Sequence, residues 1–434
     1  MMAVNPFTFG NPIRDPARFY GRKEDLRQIV NRLRSSARES TSVVGERRIG
    51  KTSLLKYLDD KDVADGLGLP PVEYCMVYID FQGLTDITPQ RFWQRVLRKM
   101  ERTICVPDLV PAIQEIRKLG DFDLFDLEDL FELIAQRGPT TVLLLDEFEY
   151  VTQNPNFGSD FFGGLRALAI HQNLPLVTAT RRELVDLCHS EEIKGSPFFN
   201  IFANVVLRPF SREEVYEMLD GYLANTNLNF SPKEKELVIR LGGGYPFFIQ
   251  MAGSYLLEAK WKGLEGETLL QEVYANFDAQ SDSHFTYMWS HSSESEKITL
   301  LAVISLDRQT PARKTIPTIE NLAAIHSRVH LDVPELVKRG LLLENRAEKT
   351  YRLLSPSLER WIAREISAVP GQEETQASVQ EWLAAGGRDE MEVVSGILPK
   401  FKKKYWPVVS GVALDLSMEL IGAVTWEILT KGVL

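Results

Sequence analysis

The run Gly45-Glu46-Arg47-Arg48-Ile49-Gly50-Lys51-Thr52 has the residue types and spacing to hold a chain of phosphates. Gly45 and Gly50 let the backbone curl so that its N–H groups converge on anionic oxygens. Lys51 has the reach for the β- and γ-phosphates, and the Thr52 hydroxyl can ligate Mg²⁺. The context is the one this chemistry requires. An apolar strand (Ser42-Val43-Val44) precedes the loop, and a helical pattern (Leu54, Leu55, Tyr57, Leu58) follows it. The helix N-terminus adds its partial positive charge. A second stretch completes the chemistry. Thr141-Val142-Leu143-Leu144-Leu145-Asp146-Glu147 is a continuous apolar run that ends in two acids. Such a run suits a parallel strand covered on both faces. Asp146 at its tip would hold Mg²⁺ through water, and Glu147 is placed to polarise an attacking water as a general base. The two stretches together predict nucleotide binding and hydrolysis.

The elements that position these residues follow from the rest of the chain. Its 434 residues predict two to four domains. A 44% hydrophobic and 25% charged composition is that of an ordinary globular protein. The net charge of −10 argues against wholesale coating of nucleic acid, although it allows a local basic face. Cys75, Cys105 and Cys188 form no C-x-x-C and read as reduced core thiols. The histidines form no H-x-x-x-H, so no metal is assigned to them. The N-terminus has no charged-then-apolar layout, which predicts a cytoplasmic protein.

Asn5 to Arg18 is rich in Pro, Gly and Asn and predicts an extended segment, with Glu24 to Leu33 as a helix after it. Five strands follow, at Thr41–Val44, Met76–Asp80, Thr141–Asp146, Leu174–Ala179 and Ala203–Leu207. Helical patterns separate most of them, which is the signature of an α/β domain with a parallel sheet. From Ser211 the pattern is helical, with Ser211 as an N-cap. Leu241-Gly242-Gly243-Gly244-Tyr245-Pro246-Phe247 breaks it, and Phe248 to Leu257 is an apolar helix. Ser292 to Ile366 has the cadence of a winged helix. Its helices are Glu294–Ile304 and Val333–Arg339, its hairpin is Gly340–Leu343 with Thr350–Leu354, and Pro356–Ile366 closes it. The domains expected are an N-terminal segment (1–18), the nucleotide domain (19–209), a helical lid (210–285), the winged helix (286–366), a linker (367–380) and a helical C-terminal segment (381–434).

These motifs, in this order, resemble the STAND branch of P-loop ATPases, a relative of AAA+ proteins, over roughly residues 15 to 366. The prokaryotic members with G-E-R-R-I-G-K-T-S loops are the most similar. The resemblance implies a P-loop fold with strand order 5-1-4-3-2, ATP or ADP with Mg²⁺ as the ligands, and nucleotide contacts from Gly45, Gly50, Lys51, Thr52 and Ser53. Phe19-Tyr20-Gly21-Arg22-Lys23-Glu24 is similar to the family's G-R-x-x-E motif, which brings Tyr20, Gly21 and Arg22 towards the adenine. Thr178-Ala179-Thr180-Arg181 is similar to the T-x-R strand end whose arginine senses the γ-phosphate. Arg182 beside it leaves that assignment open by one residue. Physically, Arg181 at a strand tip would neutralise developing charge. Gly244-Tyr245-Pro246 matches the lid's G-x-P motif, whose proline, here Pro246, packs near the base. One departure stands out. Many eukaryotic relatives carry an ADP-gripping histidine in the winged helix, where the comparable stretch of this chain reads Leu353-Leu354-Ser355-Pro356-Ser357-Leu358.

Three functions compete. The first is a STAND-type signalling ATPase that forms a homo-oligomer on a trigger, in prokaryotic anti-phage defence, with a separate sensor or effector as partner. The second is a DNA-associated ATPase that uses its winged helix. However, the recognition helix Asp332–Arg339 carries two acids as well as two bases. The third is a membrane-acting effector through residues 400–434, where Lys400-Phe401-Lys402-Lys403-Lys404-Tyr405-Trp406 precedes an apolar stretch. Asp415 and Glu419 near its centre cost about 2.5–3.5 kcal/mol each in a lone span. Docking or self-assembly therefore ranks above a membrane role for this tail.

Overall fold

The computed structural model describes residues 4–307, 316–324 and 326–367. The expected linker and the C-terminal segment, with its basic-aromatic cluster, lie outside these residues. The chain divides into two compact units, Gly10–Tyr222 and Met1–Phe9 with Leu223–Leu434.

The first unit is a five-stranded parallel sheet. Its strands are β1 (Ser40–Val44), β2 (Tyr74–Asp80), β3 (Thr140–Asp146), β4 (Leu176–Thr180) and β5 (Phe202–Val206). They lie in the order β2-β3-β4-β1-β5, which is the expected order read from the other edge. Every residue of β1 is buried, and Val142 to Leu145 of β3 expose nothing. Buried runs of this kind, apolar in β3 and Ser-Thr-Ser-Val-Val in β1, are possible because helices cover both faces. The helix Pro89–Thr103 shows how one face is covered. Thr88 caps it, Pro89 occupies its first turn, and Phe92, Trp93, Val96, Leu97 and Met100 form a buried stripe. Each such side chain stabilises the fold by about 1.5–3 kcal/mol when fully buried.

Register places the reactive ends together. Val44 pairs with Thr180, and Asp80 pairs with Asp146. The loop after β1 is tied to β4 by Gly45 N–H on the Thr180 carbonyl (3.1 Å), and to β5 by Leu207 N–H on the Val44 carbonyl (2.8 Å). Because β1 lies between β4 and β5, the carboxyl ends of β1, β3 and β4 border the crevice where such sheets bind ligands.

Three local expectations change. The fourth strand begins at Leu176 rather than Leu174. Pro175 has no N–H to give the ladder and only accepts, from Leu143 N–H at 3.1 Å. The segment expected to be extended contains a short 3₁₀ turn, Pro16–Arg18, capped by the Asp15 carboxylate. The helix Arg212–Leu223, expected in the lid, belongs to the sheet unit as far as Tyr222. Glu214 accepts from Arg22 N–H (2.9 Å), the Tyr222 hydroxyl donates to the Arg18 carbonyl (2.9 Å), and Tyr20 lies against Gly221.

The second unit is helical. Pro232–Gly242, Pro246–Trp261 and Gly266–Ser290 come first. Glu294–Asp307, Ile319–Ala323 and Val329–Lys338 follow, then an antiparallel hairpin of β6 (Leu342–Asn345) and β7 (Thr350–Leu353), and the helix Pro356–Ser367. The helix expected from Val333 begins one turn earlier, at Val329. Pro334 sits inside it and has no N–H to offer the exposed His330 carbonyl. Gly243, at φ 60°, ends Pro232–Gly242, and a Cβ there would come within 2.1 Å of the Leu354 carbonyl oxygen. The next residue but one, Tyr245, is fully buried and donates its hydroxyl to the Arg339 carbonyl at 3.2 Å. The Gly-Gly-Gly-Tyr break is thus a close backbone approach to the segment after β7. Among the described residues no helix is long and apolar enough to cross a membrane.

Candidate nucleotide site

The phosphate loop owes its curl to its glycines. Gly50 sits at φ 106°, a conformation other residues adopt only under strain. A Cβ on Gly45 would lie 2.8 Å from Ile49 Cγ2 and 3.3 Å from Leu207. The helix Lys51–Asp59 starts immediately after Gly50, and no side chain caps it. Its first amides, including those of Lys51, Thr52 and Ser53, have no acceptor within the helix. An uncapped N-terminus behind a glycine curl is a donor set that fits phosphate oxygens. Lys51 is buried, and its ammonium donates to the Gly45 carbonyl (2.7 Å) and the Glu46 carbonyl (3.3 Å), closing the loop from within.

Asp146, at the end of β3, is buried and accepts the Tyr78 hydroxyl at 2.8 Å. Burial pushes its carboxyl above the usual carboxylate range, while hydrogen bonds from Tyr78 and Thr52 and the Lys51 charge pull it back. Thr52 and Asp146 therefore stand side by side, as two oxygen donors for a hard cation must. Among the described residues no group of three or more His, Cys, Asp or Glu side chains could hold a metal. A cation here would rely on Thr52, Asp146, water and phosphate oxygens, and would supply charge neutralisation at the phosphates.

Glu147 adopts φ 54°, a left-handed conformation that costs a non-glycine residue about 1–3 kcal/mol when it is over-determined by its surroundings. Its surroundings do this. Glu147 N–H bonds the Asp146 carboxylate (3.1 Å), and Phe148, fully buried, donates its N–H to the Ala179 carbonyl (3.1 Å). Burial first, and the Glu149 charge second, push the Glu147 carboxyl up to about 7, against the pull of Lys51 and Arg181. A carboxylate poised there has the proton affinity a general base needs near neutral pH. Arg181, just past β4, donates Nε to Glu149 Oε1 at 2.9 Å. Arg182 is exposed, and its carbonyl accepts the Thr180 hydroxyl at 2.7 Å.

The other expected residues are placed as follows. Arg22 is buried, with its guanidinium on the Ile49 carbonyl (2.8 Å) and the Arg208 carbonyl (2.6 Å) and over the Phe210 ring. It therefore braces the phosphate loop from behind. Gly21, at φ 68°, leaves no room for a Cβ beside Glu214 and Phe210. Tyr20 meets Tyr222 edge-on at 5.3 Å. The Ser53 hydroxyl accepts Ile13 N–H at 3.0 Å, fastening the N-terminal segment. Pro246 belongs to the second unit, in the first turn of Pro246–Trp261. Sequence reasoning missed Tyr78 and Glu149. Glu149 had a signal, a third acid in Asp146-Glu147-Phe148-Glu149. Tyr78 had none, because its partner is on the neighbouring strand.

The comparison with curated proteins finds no match. Solved structures do match. The ORC2 protein of Aeropyrum pernix, in ADPNP–ADP complexes, is 16% identical with a TM-score of 0.53, covering 84% of this chain and 99% of that one. A Walker-type ATPase of Pyrococcus abyssi is 15% identical with a TM-score of 0.53, covering 82% of this chain and 99% of that one. At these identities the similarity speaks for the fold alone. The profile of the novel STAND NTPase 2 family matches residues 34–308, from the helix before β1 to the second unit. That match spans more than half of the sequence, and the chain belongs to the novel STAND NTPase 2 family.

Proposed function

We propose that the protein is an ATP-hydrolysing switch that assembles into a homo-oligomer in response to nucleotide and a trigger. Asp146 and Thr52 hold Mg²⁺, Lys51 and the amides after Gly50 hold the phosphates, Glu147 activates the water, and Arg181 senses the γ-phosphate. The observation that carries this reading is the strained Glu147 beside Asp146, both within reach of the Lys51 charge at an uncapped helix N-terminus. Strain of this kind next to a buried acid at a strand tip supports a functional role for Glu147. Tyr20, Gly21 and Pro246 are the proposed contacts on the base side, and Arg22 acts through its grip on Ile49. We assign residues 286–366 as a winged helix that, with the lid, answers to the nucleotide. The anti-phage role and a separate sensor or effector are supported only by analogy with prokaryotic STAND NTPases.

The DNA reading is less well supported. In the helix Val329–Lys338 and the residue after it, Asp332 and Arg339 are buried, and the exposed face carries Arg328, His330, Leu331 and Pro334. A helix that buries two of its charges and exposes a leucine is poor material for reading phosphates. The test of the main reading is steady-state release of phosphate from ATP. Lys51→Ala should abolish it, with at least about a hundredfold loss of kcat/KM, since the cation that draws the phosphates is gone. Equal rates in both proteins would remove the hydrolytic assignment.

A further inference from the structure

We propose that Glu149 is the positioning residue that aims Arg181 at the γ-phosphate, an inference that rests on the nucleotide reading of this site. The local chain explains how Glu149 gets there. The left-handed turn at Glu147 and the buried Phe148, tied to the Ala179 carbonyl, swing the chain under the end of β4. Glu149 then lies beside the residue that follows Thr180. Its side chain is 2% exposed, whereas Arg181 is 33% exposed. The bond uses Arg181 Nε and one Glu149 oxygen (2.9 Å). The second oxygen, Oε2, is buried and has no hydrogen-bond partner.

This is an uneconomical way to stabilise a fold. A buried carboxylate with a bare oxygen costs free energy that a better-satisfied pair would not. It is a good way to fix a guanidinium. Arginine carries its donors in a rigid planar fork, so a bond at the Nε edge sets the direction of the Nη groups. Glu149 is anchored on the turn that also carries Glu147 and Asp146. The direction of Arg181 is therefore set by the same element that carries the base and the cation ligand. The pair also singles out Arg181, rather than the exposed Arg182, as the sensing arginine.

The test uses the full chain, with ATP hydrolysis and ADP titration by calorimetry. Glu149→Gln keeps the shape and removes the charge. It should lower kcat about tenfold, the loss of one charge-assisted bond acting in the transition state. ADP affinity should stay within about twofold, because ADP has no γ-phosphate for Arg181 to sense. In an Arg181→Ala background the same change should cost nothing further, since Glu149 acts only through Arg181. Glu149→Asp keeps the charge and withdraws it by one methylene. It should slow hydrolysis in the same selective way, and it carries the test if the amide variant does not fold. An additive loss in the double variant, or a parallel loss of ADP binding, would overturn the proposal. Slower hydrolysis in Arg181→Ala with none in Glu149→Gln would overturn the Glu149 assignment alone. No effect of Arg181→Ala would overturn both that assignment and the sensing role of Arg181.

Discussion

Each unit contains a buried glutamate paired with an arginine, and the two pairs are built differently. In the helical unit, Arg339 and Glu296 are 3% and 7% exposed. Arg339 Nη1 contacts both Glu296 oxygens at 3.1 Å and the Ser292 hydroxyl at 3.2 Å, and Nη2 donates to the Met288 carbonyl at 3.4 Å. The Arg339 carbonyl in turn receives the Tyr245 hydroxyl. Both acid oxygens are used. In the sheet unit, Glu149 uses one oxygen and leaves the other bare, and its arginine is one-third exposed. A satisfied pair in a closed setting ties helices together. The pair in the sheet unit, with one acid oxygen bare and its arginine half-open, is the less satisfied of the two. The same two residue types therefore close a pair in one unit and, on our proposal, orient an arginine for chemistry in the other.

Breaking the closed pair should have the largest effect. Glu296→Ala leaves the Arg339 charge buried, and removing one partner of such a pair costs about 3–5 kcal/mol. Thermal melting should show the helical unit unfolding well before the native protein. Glu149→Gln should leave the melt nearly unchanged while slowing hydrolysis. If both variants lose similar stability, the contrast between the pairs collapses. A smaller effect sharpens the picture on the chemical side. Tyr78→Phe removes the hydroxyl that orients Asp146. Outer-shell partners of a metal ligand are worth about 10–100-fold in metal affinity, so the Mg²⁺ concentration for half-maximal hydrolysis should rise by about that factor. An unchanged Mg²⁺ dependence would reduce Tyr78 to core filling.

What the sequence made legible was local. The loop Gly45–Thr52 and the run Thr141–Glu147 are contiguous, and their residue types state both their secondary structure and their chemistry. The strand ends were also legible to within two residues, with Pro175 accounting for the late start of β4. The groups that hold the site in place were not legible, because their partners are distant in sequence. Arg22 grips Ile49 and Arg208, Tyr78 supports Asp146, and Glu149 meets Arg181. The helix start at Val329 was hidden by Pro334, whose position inside a helix contradicts the usual meaning of proline. The stretch Leu353–Leu358, expected within a winged helix and without a histidine, is held by local packing. Gly243 packs on the Leu354 carbonyl, and Ser355 caps the closing helix through Leu358 N–H at 3.2 Å.

The central claim, a nucleotide-gated assembly, is tested most directly by mass photometry of the purified protein with ADP, with ATP, and with ATP on a Glu147→Gln variant. The account predicts larger particles with ATP only, and a larger share of them in the variant, where hydrolysis no longer returns the switch. One particle mass in all three conditions would contradict it.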